Sequence, residues 1–199
     1  ALNDGSPECS YLETVTDCAT DGQTCESGAC VDAVTLPTPG AIQLTEMMLE
    51  PSMASAEAGS WLEYTNVSSG TLDLQGCVVQ AGGTSASLVG LTSSMAPWAA
   101  FVIGSDADPE TNGGYTPDLV LADLDLSAAT QTIALTCSEQ VIDTVTFDPA
   151  VWGFTPGASL QLGIEHDDNT LMENWCSSTT PYGDGDLGSP GAINDSCSP

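Results

Sequence analysis

The chain has 199 residues, 41% of them hydrophobic, with 28 Asp plus Glu, one His and no Lys or Arg, for a formal net charge of -28 at pH 7. That apolar fraction supports one core of ordinary size plus a small appendage. The missing bases remove the charge neutralisation on which phosphate-backbone binding rests, which excludes nucleic-acid partners and disfavours anionic membrane surfaces, and no run approaches the roughly 18 to 20 apolar residues of a membrane span.

The opening "ALNDGSPECS" has neither the basic nor the apolar region of a signal peptide, so Ala1 reads as the start of a processed chain. Residues 1–35 hold Cys9, Cys18, Cys25 and Cys30 with too little apolar surface for a core, and form a small disulfide-stapled module. Ser6 as a cap with Pro7 at the first helical position predicts a helical turn over residues 7–15. "DGQ" and "SGA" predict turns after it.

"LPTPG" at 36–40 is a stiff connector, because each proline fixes φ and biases the preceding residue toward extended backbone. It marks the expected boundary with a second domain over 41–199. From there the apolar residues come in short runs: "AIQLTEMM", "WLEYTNV", "TLDLQGCVV", "ASLVGL", "WAAFVIG", "PDLVLADLDL", "TQTIALTC", "QVIDTVTF" and "ASLQLGI". No segment keeps a helical stripe over three turns, and about nine strands between Gly, Pro, Ser, Asn and Asp clusters predict an all-β antiparallel sandwich. In "WLEYT", alternation sets Trp61, Glu63 and Thr65 on one face and Leu62 and Tyr64 on the other.

The second group of cysteines is Cys77, Cys137, Cys176 and Cys197. Zinc would want short Cys-x-x-Cys pairs or clustered His, neither of which is present, so the eight cysteines predict disulfides and an oxidising, extracellular location. Missing bases read as high external salt, a surface invisible to trypsin-like proteases, or carboxylates neutralised by divalent cations. Each places the protein outside the cell.

In chain order, "IQLTEMMLEP", "WLEYTN", "LDLQGC", "AAFVIG", "TIALTC", "QVIDTVTF", "GASLQL", "NWC" and "GDLGSPGAIN" resemble the lamin tail domain family, in its bacterial secreted branch. The resemblance implies an immunoglobulin-like β-sandwich and no reaction. Where that family pattern carries an aromatic after the Gly of "LDLQG", this chain has Cys77, whose implied partner is Cys137 on a neighbouring core strand, a bridge worth at most about 4 kcal/mol in the chain-entropy estimate. Cys176 with Cys197 would then tie down the irregular tail. In the N-terminal module, which is similar to short Cys-rich repeats of myxobacterial surface proteins, the expectation is Cys9 with Cys25 and Cys18 with Cys30, one of three pairings the sequence permits.

Glu46 and Glu63 in the opening strands are the candidate acid and base pair, and similar glutamates recur in the family pattern without implying hydrolysis. His166, flanked by Asp167 and Asp168, lacks a nucleophile on a strained Gly-x-Ser-x-Gly turn. Candidate calcium ligands are Asp106 and Asp108 in "DADPETN", Asp123 and Asp125 in "DLD", "EHDDN" at 165–169, and Asp184 and Asp186 in "DGD". "DADPETN" fails the EF-hand register, since Thr111 stands where Gly is required. The run "EMMLEPSM" with Met95, Pro97 and Trp98 reads as an adhesive surface or as core, and Asn66 and Asn194 head glycosylation sequons.

The expected function is therefore that of an extracellular, non-catalytic structural or adhesion protein, a self-assembling cell-surface or filament subunit joined head to tail through "CVDAVTLPTPG" or the N-terminus. The alternative is a calcium-dependent ligand- or glycan-binding module. Self-repulsion at -28 makes either assembly sensitive to ions.

Overall fold

The computed structural model describes residues 8–11, 14–21, 23–88, 94–126 and 130–197. In chain order its strands are β1 (Glu8–Tyr11), β2 (Thr14–Asp17), β3 (Gln23–Glu26), β4 (Ala29–Asp32), β5 (Val34–Thr35), β6 (Ile42–Met48), β7 (Trp61–Asn66), β8 (Thr71–Asp73) and β9 (Cys77–Ala81). They continue as β10 (Thr84–Ser87), β11 (Ser94–Met95), β12 (Ala100–Gly104), β13 (Leu119–Val120), β14 (Gln131–Cys137), β15 (Gln140–Phe147), β16 (Leu160–Leu162) and β17 (Trp175–Ser177). Two single-turn helices, α1 (Ala56–Gly59) and α2 (Pro149–Trp152), interrupt them.

The chain is an all-β sandwich. One layer is a six-stranded sheet in the order β13-β12-β7-β6-β16-β17, and facing it is a four-stranded sheet in the order β10-β9-β14-β15. A three-stranded sheet, β11-β8-β5, and two separate hairpins complete the set. Ile42, Leu44, Leu62 and Tyr64 of the first sheet and Val79, Leu135, Val145 and Phe147 of the second belong to one buried cluster. Tyr64 stacks on Phe101 with ring centroids 5.4 Å apart. Cys77 and Cys137 are direct cross-strand partners of β9 and β14 and are joined by a disulfide within that cluster.

The N-terminal region differs from expectation. Instead of a helical turn over 7–15, β1 and β2 form an antiparallel pair, Glu8 opposite Asp17 and Tyr11 opposite Thr14. The run of β-branched residues Thr14, Val15 and Thr16 favours extended backbone and outweighs the capping signal, whose residues Ser6 and Pro7 lie outside the described ones. β3 and β4 close over Ser27 and Gly28, both at positive φ, the geometry of a two-residue hairpin loop. Cys18 is bonded to Cys30, and Cys25 is also in a disulfide; the side chain of Cys9, its expected partner, lies outside the described ones.

β5, inside the region assigned to the Cys-rich module, pairs in parallel with β8, Val34 opposite Thr71 and Thr35 opposite Leu72. Pro37 is buried, and Gly40 N–H donates to the Ile142 carbonyl at 2.8 Å. The connector 36–40 is thus sewn onto the sandwich from residue 34 onward, and a Pro-Thr-Pro sequence that cannot sustain a ladder still lies flat against one.

Of the expected strands, "TLDLQGCVV" divides into β8 and β9 around the Gly76 turn, where φ is +75°. In "PDLVLADLDL" only Leu119–Val120 is strand, because Leu121, Leu124 and Leu126 enter the core from irregular backbone. β17 is additional: "NWC" pairs with β16, Leu162 opposite Trp175.

Candidate functional site

The two carboxylates that sequence analysis singles out come together. Glu46 and Glu63 are opposite one another on β6 and β7, next to a bulge between Leu44 and Glu46, and both are 0% exposed. Alternation sends Leu62 and Tyr64 into the main core and Trp61 and Glu63 to the outer face. That outer face is covered in turn by the chain's last segment.

Glu46 accepts from the Ser159 hydroxyl at 2.5 Å, from Ser189 N–H at 2.9 Å and from the Ser189 hydroxyl at 2.8 Å. Glu63 accepts from Gly191 N–H at 2.6 Å and from the Thr45 hydroxyl at 3.3 Å. Burial raises the Glu46 carboxyl above its ordinary range against the pull of those Ser159 and Ser189 bonds. Burial likewise pushes Glu63 up to about 8, with the charge of Glu46 adding to the effect and the bonds from Gly191 and Thr45 opposing it. A chain without Lys or Arg has no cation to place beside these groups, so protons and neutral donors fill that role. Both residues lie buried beneath the strap.

The covering strap is held on its way across the sheet. Trp61 Nε1–H donates to the Tyr182 hydroxyl at 3.1 Å, and the two rings meet edge to face at 5.9 Å. Gly183, at φ +47°, lies so close to the 113–114 loop that a Cβ would collide with the Gly113 carbonyl oxygen. Asn194 donates to the carbonyls of Thr45 and Leu162, and Cys176–Cys197 fastens the end to β17.

The acidic loops are wired by asparagines. In "DADPETN", Asn112 donates to the Asp106 and Tyr115 carbonyls and accepts from Gly114 and Tyr115 N–H, using its whole hydrogen-bonding capacity. Asp106 accepts from Asp108 N–H and the Thr111 hydroxyl, which hold its carboxyl below the usual range, and Asp108 accepts from Glu110 N–H. In "EHDDN", Asn169 donates to the Leu44 carbonyl and to Asp143, and Asp143 accepts from Leu44 N–H at 2.7 Å. These two side chains satisfy Leu44 where β6 has no neighbour on that side, since β16 pairs only with Glu46 and Met47.

The remaining candidates are separate. His166 has Glu165 at 3.6 Å, whereas Asp168 is engaged with Thr170 and Gln43 reaches the Asp167 carbonyl. Asp123, Asp125 and Asp184 are exposed, and Asp123 adopts φ +65°. Asp186 is buried and faces donors: Ser52 and Met53 N–H, each at 3.1 Å. Among the described residues no group of three or more His, Cys, Asp or Glu converges as a metal centre would. The Asn66 amide, heading one sequon, is buried and donates to Gly70, Met95 and Ala96 carbonyls.

Sequence analysis did not anticipate the concave surface beside the strap. A groove of about 630 Å³ runs over the outer face of the six-stranded sheet, walled by Val67, Trp98, Leu162, Ile164 and Ile193, with His166 at its side. Trp98 is 63% exposed at φ +61°, a conformation that disfavours a bulky side chain. It is held there because its N–H donates to the Asn66 carbonyl and Ala99 N–H to that of Ala96. Several of the groove's polar groups bond within the fold: Gln43 Nε2, Thr45, Thr65 and the Asn194 amide. None of the lining residues is Asp or Glu. No family model, no curated protein and no solved structure matches this chain.

Proposed function

We propose that the protein is an extracellular, non-catalytic structural subunit that self-assembles, built on a sandwich of the lamin tail type. The observation that carries this reading is the fate of the chemically suggestive groups. Glu46, Glu63, Asp143 and Asp186 are each buried and spent on holding backbone or hydroxyl donors of the fold. What the surface offers instead is an acid-free apolar groove on a chain of charge -28. Disulfides in both the N-terminal hairpins and the sandwich favour an oxidising compartment.

A glycan-binding role draws on Trp98 as a platform, but a sugar also needs free polar partners, and Gln43 Nε2 and the Asn194 amide are already bonded within the fold. Negative-stain electron microscopy of the full chain at low and raised ionic strength tests the proposal. Ordered polymers that lengthen with salt support it, and a dispersed monomer under all conditions overturns it.

A further inference from the structure

Any contact between two copies of this chain has to avoid setting carboxylates against carboxylates, because like charges opposed across an interface repel. Among the described residues the exposed large hydrophobic ones are Val34, Leu36, Met53, Trp98, Val120, Val141, Val151, Ile164, Leu171, Met172 and Ile193. Only Leu36 and Trp98 among them have no Asp or Glu within three residues on either side. One is on the connector, 60% exposed; the other forms the wall of the groove, 63% exposed.

We infer that the groove beside Trp98 is the acceptor for the connector of a second copy, with Leu36 and Val34 as its apolar anchors; this deepens the self-assembly proposed above and rests on it. The run from Ala33 to Gly40 carries no carboxylate, and no Asp or Glu lines the groove, beside which Glu165 is paired with His166. Val34 is 51% exposed, and β5 is an edge strand with β8 on one side only. The prolines at 37 and 39 keep the connector extended and lower the ordering cost of docking. The connector does not line the groove of its own chain. Because donor and acceptor are different surfaces, the contact can repeat head to tail, and it gives an open chain of subunits wherever two copies do not engage each other reciprocally.

The test uses two surface variants of the full chain, Leu36→Asp and Trp98→Glu, with folding checked by circular dichroism. Sedimentation velocity should show each variant alone as a monomer, with half-assembly displaced by about tenfold or more in concentration relative to wild type. An equimolar mixture should give a discrete heterodimer, because the intact groove of Leu36→Asp accepts the intact connector of Trp98→Glu. Wild-type polymers with variants that also polymerise would overturn this contact and leave self-assembly standing. Monomeric variants that give no heterodimer on mixing would overturn the head-to-tail geometry. A wild type that never assembles would overturn the functional reading itself.

Discussion

Glu46 and Glu63 face each other across β6 and β7 with no exposed surface, and both are bonded to the strap that crosses above them, Glu46 through Ser189 and Glu63 through Gly191. The strap's irregular backbone thereby gains acceptors for donors that no strand pairs. The sheet gains a cover over Trp61, Met48 and Val102, an apolar cluster on its outer side.

A carboxyl whose value rises on folding binds more protons in the native state, so its contribution is fully present below the unfolded value and is lost as pH rises through the folded one. For Glu63 that window runs from about 4.5 to about 8, and Glu46 and Asp143 shift in the same direction. Urea unfolding should therefore show stability falling between pH 5 and pH 9. Glu63→Gln should flatten that decline and be more stable than wild type at pH 9 by a few kcal/mol, on the order of the shift at about 1.4 kcal/mol per unit. Parallel curves for the two proteins would contradict the assignment.

Cys176 and Cys197 span 21 residues that include the strap's path over the carboxylates. The double Ser variant should lose roughly 3 kcal/mol on the chain-entropy estimate. Amide exchange at Ser189 and Gly191 should accelerate more than exchange in β14 and β15. Uniform acceleration across the sandwich would show that the strap is not an independently opening unit.

Asp186→Ala removes the acceptor for Ser52 and Met53 N–H. Leaving such donors unmet costs about 1–3 kcal/mol. Asp184→Ala, at an exposed position two residues away, should stay within about 0.5 kcal/mol of wild type. Thermal melts of the two variants make the comparison. Equal losses would mean that Asp186 acts through charge rather than as an acceptor.

Gly183→Ala sets a methyl against the Gly113 carbonyl at a backbone angle suited to glycine. It should be more destabilising than Gly70→Ala, where a Cβ meets open space. Equivalent melting temperatures would contradict the close packing of the two loops.

The sandwich was readable because its signals are local. Alternation in "WLEYTN" and "QVIDTVTF" follows from the two-residue strand period, and Gly and Pro clusters punctuate it. The hairpin at β1 and β2 was missed because a capping signal is local too, and it competes with a run of β-branched residues that win through pairing. For the site, the sequence places Glu46 and Glu63 in the two opening strands, but their burial depends on Ser189 and Gly191, some 140 and 130 residues away in sequence, and periodicity cannot see that. "DADPETN" and "EHDDN" drew attention through their aspartates, whereas Asn112 and Asn169 organise them. Of the groove's apolar walls only Trp98 carries a sequence signal, since Val67, Leu162 and Ile193 join it from three other segments.

Self-assembly through an acid-free contact is most directly tested by sedimentation velocity of the unmodified full chain over a series of salt concentrations. The account predicts species larger than monomer that grow as salt screens the charge of -28. A single monomeric boundary at every salt and protein concentration would contradict it.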